Sequence, residues 1–297
     1  MSDDFDWRTR ADFASARARA FLRGALAYLT GRPTALLMFA EVKEKLRLGG
    51  PIYRGVREIE IVKIRGSVDR YRDFDNAFLP LSDITASRWM KINRAWYDDV
   101  GLPPVLLYKV GDVYFVVDGH HRVSVAREQG QLYIEAEVRE CAVRVPLTGD
   151  VGPDQLEVLG EQAEFLERTA LDRLIPQAGV DVTILGGYDR VIEHIAVHRY
   201  FMGIEWRREI DEAEAVTHWH AHVFLPVVTV IRESGVLEAF PKRTAADLYL
   251  WVLDHRHYLV AAGRAELVEP AAAAEAFLRD LDQARDVGTS DPAAPGI

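Results

Sequence analysis

Five consecutive apolar residues, Val113-Tyr114-Phe115-Val116-Val117, stand between two turn signals, Gly111-Asp112 and Asp118-Gly119. A strand with no polar alternation needs cover on both faces, so this run predicts a central buried strand. The sequence around it, from 56 to 148, alternates between strand and helix texture. Ile59-Glu60-Ile61-Val62-Lys63-Ile64 reads as a short strand ending at Gly66. A helix is expected over 83–100, carrying Trp89, Ile92, Ala95 and Trp96. After Leu102-Pro103-Pro104 an extended strand should run through Val105-Leu106-Leu107-Tyr108. A short helix over 120–129 stops at Gly130, and Tyr133–Val138 makes a further strand. Such alternation implies an α/β unit.

The flanks are helical. Ala14, Ala18, Phe21, Leu22 and Ala25 recur at helical spacing within 8–29, and a second helix is expected over 35–47. Beyond Gly149 helices are expected near 153–173, 187–202, 209–233, 244–262 and 271–285. The chain therefore divides into an N-terminal helical segment (1–50), an α/β domain (51–148) and an all-helical domain (149–285). The tail at 286–297, rich in Pro, Gly and Ala, is expected to be disordered.

Charge position excludes more than charge total. The 297 residues carry a net charge of −10, yet residues 149–297 alone hold 26 acidic against 13 basic residues. Residues 1–148 have a slight positive excess. A surface so acidic repels a phosphate backbone, which argues against nucleic-acid binding through the helical half. The balanced middle can still hold a local anion site. Lone Cys141 rules out a disulfide framework, and it reads as a small apolar packing residue. No apolar run reaches membrane-helix length, and the acidic start of the chain is unlike a secretory leader, so a cytoplasmic location is expected.

The feature with most chemistry is the exit from the apolar run, Asp118-Gly119-His120-His121-Arg122. A helix that starts at once after a buried strand offers unpaired N–H groups and a partial positive charge. Gly119 lets a ligand approach the backbone closely. Arg122 can grip a phosphate in a fork, and the two imidazoles can donate hydrogen bonds or move protons. Ser124 adds a hydroxyl, unless it faces the sheet. The plainer alternative makes Asp118 an N-cap, Gly119 a turn residue and the histidines solvated. Against it, cationic residues at a helix N-terminus cost about 0.3–1 kcal/mol each unless an anion offsets them.

With these residues in place, the segment from Ile59 to Val138 resembles the ParB/sulfiredoxin-like fold. The match consists of a strand, an Arg-containing loop, a helix, the Leu-Pro-Pro-Val strand, another strand and a Gly-x-x-Arg helix start. It covers about residues 56–148, under a third of the chain, and is most similar to ParB-like nuclease-domain proteins carrying Asp-Gly-His-His-Arg. That family includes nucleotide-dependent free-serine kinases, CTP-binding partitioning proteins, nucleases and sulfinic-acid reductases. Sulfiredoxins have a cysteine where His120 stands, and partitioning proteins carry Gly-Glu-Arg-Arg and a DNA-binding region, so both are disfavoured. The resemblance implies a nucleotide (ATP, ADP or CTP) with Mg²⁺, and phosphoryl transfer to a small molecule. A nuclease or DNA-associated regulator and a non-catalytic nucleotide sensor are the alternatives.

On that reading Gly119, His120, His121, Arg122 and Ser124 hold phosphate. Arg70, and more weakly Arg65, join them from the loop after the first strand. Asp69, Asp73 and Asp75 compete to be the catalytic carboxylate, and Asp118 orients a histidine or a metal-bound water. The other seven histidines lie between 194 and 257. His194/His198 and His218/His222 each share a helix face, which would suit a divalent metal if the pairs faced one another. Helix packing or surface exposure is the commoner cause. The expected partner is a small molecule or nucleotide, with neither nucleic acid nor membrane, and a homodimer is compatible with the sequence.

Overall fold

In the computed structural model the apolar run at 113–117 lies in the middle of a six-stranded sheet. The structure describes residues 2–31, 34–149, 151–261 and 269–289, and the chain forms two units, Met1–Leu159 and Gly160–Ile297. In chain order the first unit contains α1 (Ser2–Thr30), β1 (Leu37–Met38), α2 (Phe39–Lys45), β2 (Pro51–Glu60) and β3 (Ile64–Ser67). Next come α3 (Ala86–Tyr97), β4 (Val105–Val110), β5 (Val113–Asp118), α4 (His120–Glu128), β6 (Tyr133–Cys141) and the start of α5 (Pro153–Thr169).

The sheet order is β1-β3-β5-β4-β6-β2. Strands β1, β3 and β5 are parallel, β4 folds back on β5 as a hairpin, and β2 closes the far edge antiparallel to β6. Along β5, Val116 packs into the core with Phe13, Trp89, Val105, Val123 and Val125. Val113 and Phe115 face the other way, into a second core with Phe39, Val42, Leu46, Cys141, Leu147 and Leu156. Both faces of the sheet are thus covered, which is why β5 tolerates no polar alternation.

The segment 59–64 corrects the sequence expectation. It is not one strand. β2 ends at Glu60, Ile61–Lys63 form a 3-10 turn, and β3 starts at Ile64. Since β2 and β3 lie on opposite sides of the sheet, the chain must cross between them at this point. Arg127 holds the crossover. Its Nη2 donates to the carbonyls of Ile61 (2.8 Å) and Ile64 (2.6 Å), and its guanidinium lies 5.0 Å over the Phe78 ring.

The N-terminal segment is not a separate body either. The Phe13 ring lies 5.5 Å from Trp89, and Ala16 shares the same core. Asp12 Oδ2 accepts from Asn93 (2.9 Å), Tyr97 (2.8 Å) and Gln129 (3.3 Å), tying α1 to α3 and the end of α4. Within the expected second helix, Leu37 and Met38 pair with Gly66 and Ser67, so α2 begins only at Phe39. The unit extends to Leu159 rather than 148, because Leu156 and Leu159 pack with the second core.

The described part of the second unit is helical. After α5 come α6 (Leu171–Leu174), α7 (Gly187–Trp206), α8 (Glu212–Trp219), α9 (Leu225–Glu233), α10 (Ala245–Ala261) and α11 (Pro270–Thr289). One expected helix is broken, and another is continuous but irregular. Ala170 takes a left-handed conformation (φ 51°) between α5 and α6. The stretch expected as one helix over 209–233 passes through a π-turn at His220–Phe224, just before Pro226. Proline has no N–H to give the carbonyl four residues back and its ring crowds it, and the π-turn takes up this mismatch while the chain stays helical from Glu212 to Glu233. At the other end α11 reaches Thr289, so residues 286–289 of the expected tail are helical, and 290–297 lie outside the described residues. Among the described residues no helix is long and apolar enough to cross a membrane.

One glycine makes the sheet packing testable. A Cβ on Gly66 would sit 2.2 Å from the Phe115 ring and 2.7 Å from the Leu37 carbonyl oxygen. Gly66→Ala is expected to lower the unfolding free energy by about 3 kcal/mol, as overpacking of a filled core does. Urea titration of the two proteins checks this, and equal midpoints would mean that Phe115 has room to move.

Candidate functional site

Strand β5 ends at Asp118, and the backbone turns into α4 through Gly119 at φ 102° and ψ 22°. Only glycine adopts that conformation freely, and here a Cβ would also meet Val105 Cγ1 at 2.6 Å and the Arg122 guanidinium at 3.0 Å. Gly119 is itself the N-cap, and no side chain caps the helix. The plainer expectation for Asp118 is therefore corrected: its carboxylate turns to Arg122 Nη2 at 2.7 Å instead of capping. The first-turn N–H groups of α4 keep no side-chain acceptor, which is what an anion at a helix N-terminus exploits.

Beside this turn lies a cavity of about 140 Å³ lined by Asp69, Arg70, Arg88, Asp118, His120 and His121, with Gly119 and Arg122 on its wall. Both histidines are buried, with 4% and 6% exposure. His120 Nε2 lies 2.8 Å from Ser67 Oγ, which already accepts the Arg70 N–H (2.9 Å). The Ser67 hydroxyl keeps both its hydrogen and a second lone pair, so it can donate to Nε2 or accept from it according to the ring's tautomer. Asp69 Oδ1 is 3.7 Å from the same Nε2. The Phe74 ring stacks against His120 and meets His121 edge-on, at 6.2 and 5.3 Å between centroids. His121 Nδ1 is buried with no hydrogen-bond partner. Burial, above all, pushes the pKa of each imidazole down to about 4, with nearby Arg88 and Arg70 adding to the shift at His121. At neutral pH both rings are uncharged.

Two of the expected phosphate contacts, Ser124 and Arg65, lie away from this cavity, and Arg122 on its wall is already engaged. Arg122 is not a free fork. Besides the Asp118 pair, its Nη1 donates to the carbonyls of Pro103 and Pro104, so it braces the turn against the start of β4. Ser124 is buried and accepts the Trp89 indole N–H at 2.8 Å, facing the core. Arg65 lines a different hollow of about 990 Å³ with Arg23, Arg127, Tyr71 and Glu41. The competing carboxylates also separate. Asp75 is buried, accepting the N–H groups of Ala77 and Leu79 and an ion pair from Arg23, and Asp73 pairs with Arg70 at 3.2 Å. Asp69 alone of the three lines the cavity.

Arg88 lines it too, exposed and without an ion pair among the described residues. Nothing along the chain singles it out, because a charged residue on an amphipathic helix normally just meets solvent. Ser67 was likewise legible only as part of a loop.

The histidines of the second unit do not converge on a metal site. His194 bonds the Tyr249 hydroxyl at 3.2 Å, while His198 Nε2 meets His218 Nδ1 at 2.8 Å and His222 stacks on His218 at 3.9 Å. Among the described residues no group of three or more His, Cys, Asp or Glu side chains is arranged to hold a metal ion.

Comparison with known proteins finds no family model and no curated protein that matches the chain.

Lowered histidine pKa values fix the sign of a pH effect. The unfolded chain takes up protons near pH 6.5, whereas the folded state resists them until about pH 4. Stability is therefore complete above about pH 6.5 and falls on acidification, by up to about 1.4 kcal/mol per pH unit for each ring. Urea midpoints measured from pH 7.5 to 4.5 should show that slope, and it should flatten in the His120→Gln/His121→Gln double variant. Equal slopes would mean the rings titrate normally.

Proposed function

We propose that the first unit binds the phosphate of a nucleotide, or of another phosphorylated small molecule, against the start of α4. The observation that carries this reading is an uncapped helix N-terminus opening on a cavity with two guanidinium groups and a buried, unpartnered imidazole nitrogen. Arg70 and Arg88 supply the charge, and the N–H groups of the first turn supply the directed hydrogen bonds. The ParB/sulfiredoxin-like resemblance of residues 56–148 favours the same place and brings with it Mg²⁺ and phosphoryl transfer. Asp118 is the carboxylate that would hold a Mg²⁺ brought by the phosphates, since this ion needs only one or two protein carboxylates.

Transfer follows the same geometry. The acceptor hydroxyl oxygen attacks the terminal phosphorus, the bond from that phosphorus to the nucleoside diphosphate oxygen breaks, and the hydroxyl proton passes to a base. Asp69, solvent-exposed and beside His120, is that base, and neutral His120 can relay the proton. Phosphate affinity should also couple to protonation, because an anion beside His120 and His121 favours their charged forms.

Calorimetry with ATP, ADP, CTP and pyrophosphate plus Mg²⁺ tests the reading. Binding is expected, and Arg70→Ala and Arg88→Ala should each weaken it about tenfold or more, since charge-assisted hydrogen bonds are worth about 1.5–3 kcal/mol. Nucleotide turnover in the presence of amino acids supports transfer. Binding without turnover makes the protein a sensor. No binding of any phosphate ligand, together with salt-sensitive DNA binding, would sink the proposal in favour of the nuclease alternative.

A further inference from the structure

Helix α7 is apolar on two opposite faces. Tyr188, Val191, Ile195 and Met202 form its buried face in the second unit. On the other side Val197, Tyr200, Phe201 and Ile204, each more than half exposed, recur at i, i+3, i+4 and i+7 and share one stripe. A helix that is apolar all round is normally covered all round. Apolar side chains as open as these occur elsewhere on the chain, so exposure alone does not say what covers them. The charges around this stripe do. Residues 149–297 carry twice as many acidic as basic residues, yet no carboxylate occurs from 194 to 204. Glu193 stands one turn before Val197, and Arg207 closes the helix just after Ile204. Both are exposed and make no ion pair or hydrogen bond among the described residues.

We propose that α7 pairs antiparallel with the α7 of a second copy of this chain, in a dimer with twofold symmetry. A twofold contact brings the same patch of each copy together, so the patch has to complement itself. A stripe acidic at one end and basic at the other does so only when reversed. In the antiparallel pair each Glu193 faces the Arg207 of the other copy, whereas a parallel pair sets like charges side by side. Tyr200 lies midway between those two residues, so it falls on the twofold axis and meets its own counterpart. The opposite charges also suit the dipole of the single helix, acid near its N-terminus and base at its C-terminus. The apolar stripe between them is what a single helix leaves unused. The interface involves the second unit alone and does not depend on the phosphate reading of the first.

Contact through one helix per copy lies at the small end of specific interfaces, so a dissociation constant on the order of 10 µM is expected. Sedimentation velocity on the full chain, at concentrations below and above that value, should show monomer passing to dimer. The Val197→Glu/Ile204→Glu variant should stay monomeric with an unchanged urea midpoint, because both side chains already stand at the surface. Glu193→Arg and Arg207→Glu should each weaken the dimer about three- to tenfold, since two like-charged pairs replace two attractive ones. Combining both reversals in one chain should restore it. Under mild oxidation Tyr200→Cys should form a disulfide between copies. Glu193→Cys should not, because the two residues 193 lie about 21 Å apart along the pair, beyond disulfide reach. A monomer at every concentration overturns the proposal. So does a dimer that survives Val197→Glu/Ile204→Glu, which would put the interface elsewhere. A dimer lost in that variant but indifferent to the charge reversals overturns the antiparallel pairing.

Discussion

At the end of β5 the chain has to leave the middle of a covered sheet and begin a helix at once, with Val105 on one side and the Arg122 guanidinium on the other. Gly119 makes that possible by taking φ 102° without a Cβ. The geometry of the candidate site follows from this turn. Because the cap position is a glycine, the first N–H groups of α4 have no side-chain acceptor. Because the turn is tight, Arg122 folds back onto Asp118 and the carbonyls of Pro103 and Pro104, and the next residues, His120 and His121, are driven inward beneath Phe74.

That burial decides the electrostatics. A charged imidazole at a helix N-terminus costs about 0.3–1 kcal/mol through the dipole. Desolvation of these two rings is the larger effect, since moving a pKa from 6.5 to about 4 corresponds to roughly 3 kcal/mol. The rings are therefore neutral hydrogen-bonding groups. Positive charge at the site comes instead from two exposed guanidinium groups, Arg70, which is paired with Asp73, and Arg88.

Much of the first unit was legible along the chain. The apolar run, the Leu-Pro-Pro break and Gly130 each mark an element end that the structure respects, because burial on two faces, a missing N–H and a left-handed turn are local constraints. Other elements were misread where a long-range partner outweighs local pattern. The Ile59–Ile64 stretch looks like one strand, yet its two ends belong to opposite sides of the sheet and Arg127 holds the turn between them. The helix expected over 209–233 does run unbroken from Glu212 to Glu233, and Pro226 is accommodated by a single π-turn just before it.

Taken alone, the residues dictated a buried central strand, a glycine turn, a helix start with imidazoles and a guanidinium, and a helical region after it. These follow from how one residue constrains its near neighbours. Which side chains share a cavity is a different kind of fact, because it depends on atoms far apart in the chain meeting at the same place. Only the folded arrangement turned Ser124 to Trp89, Arg65 to another hollow and Arg122 to its own turn, and brought Arg88 and Ser67 to the two histidines.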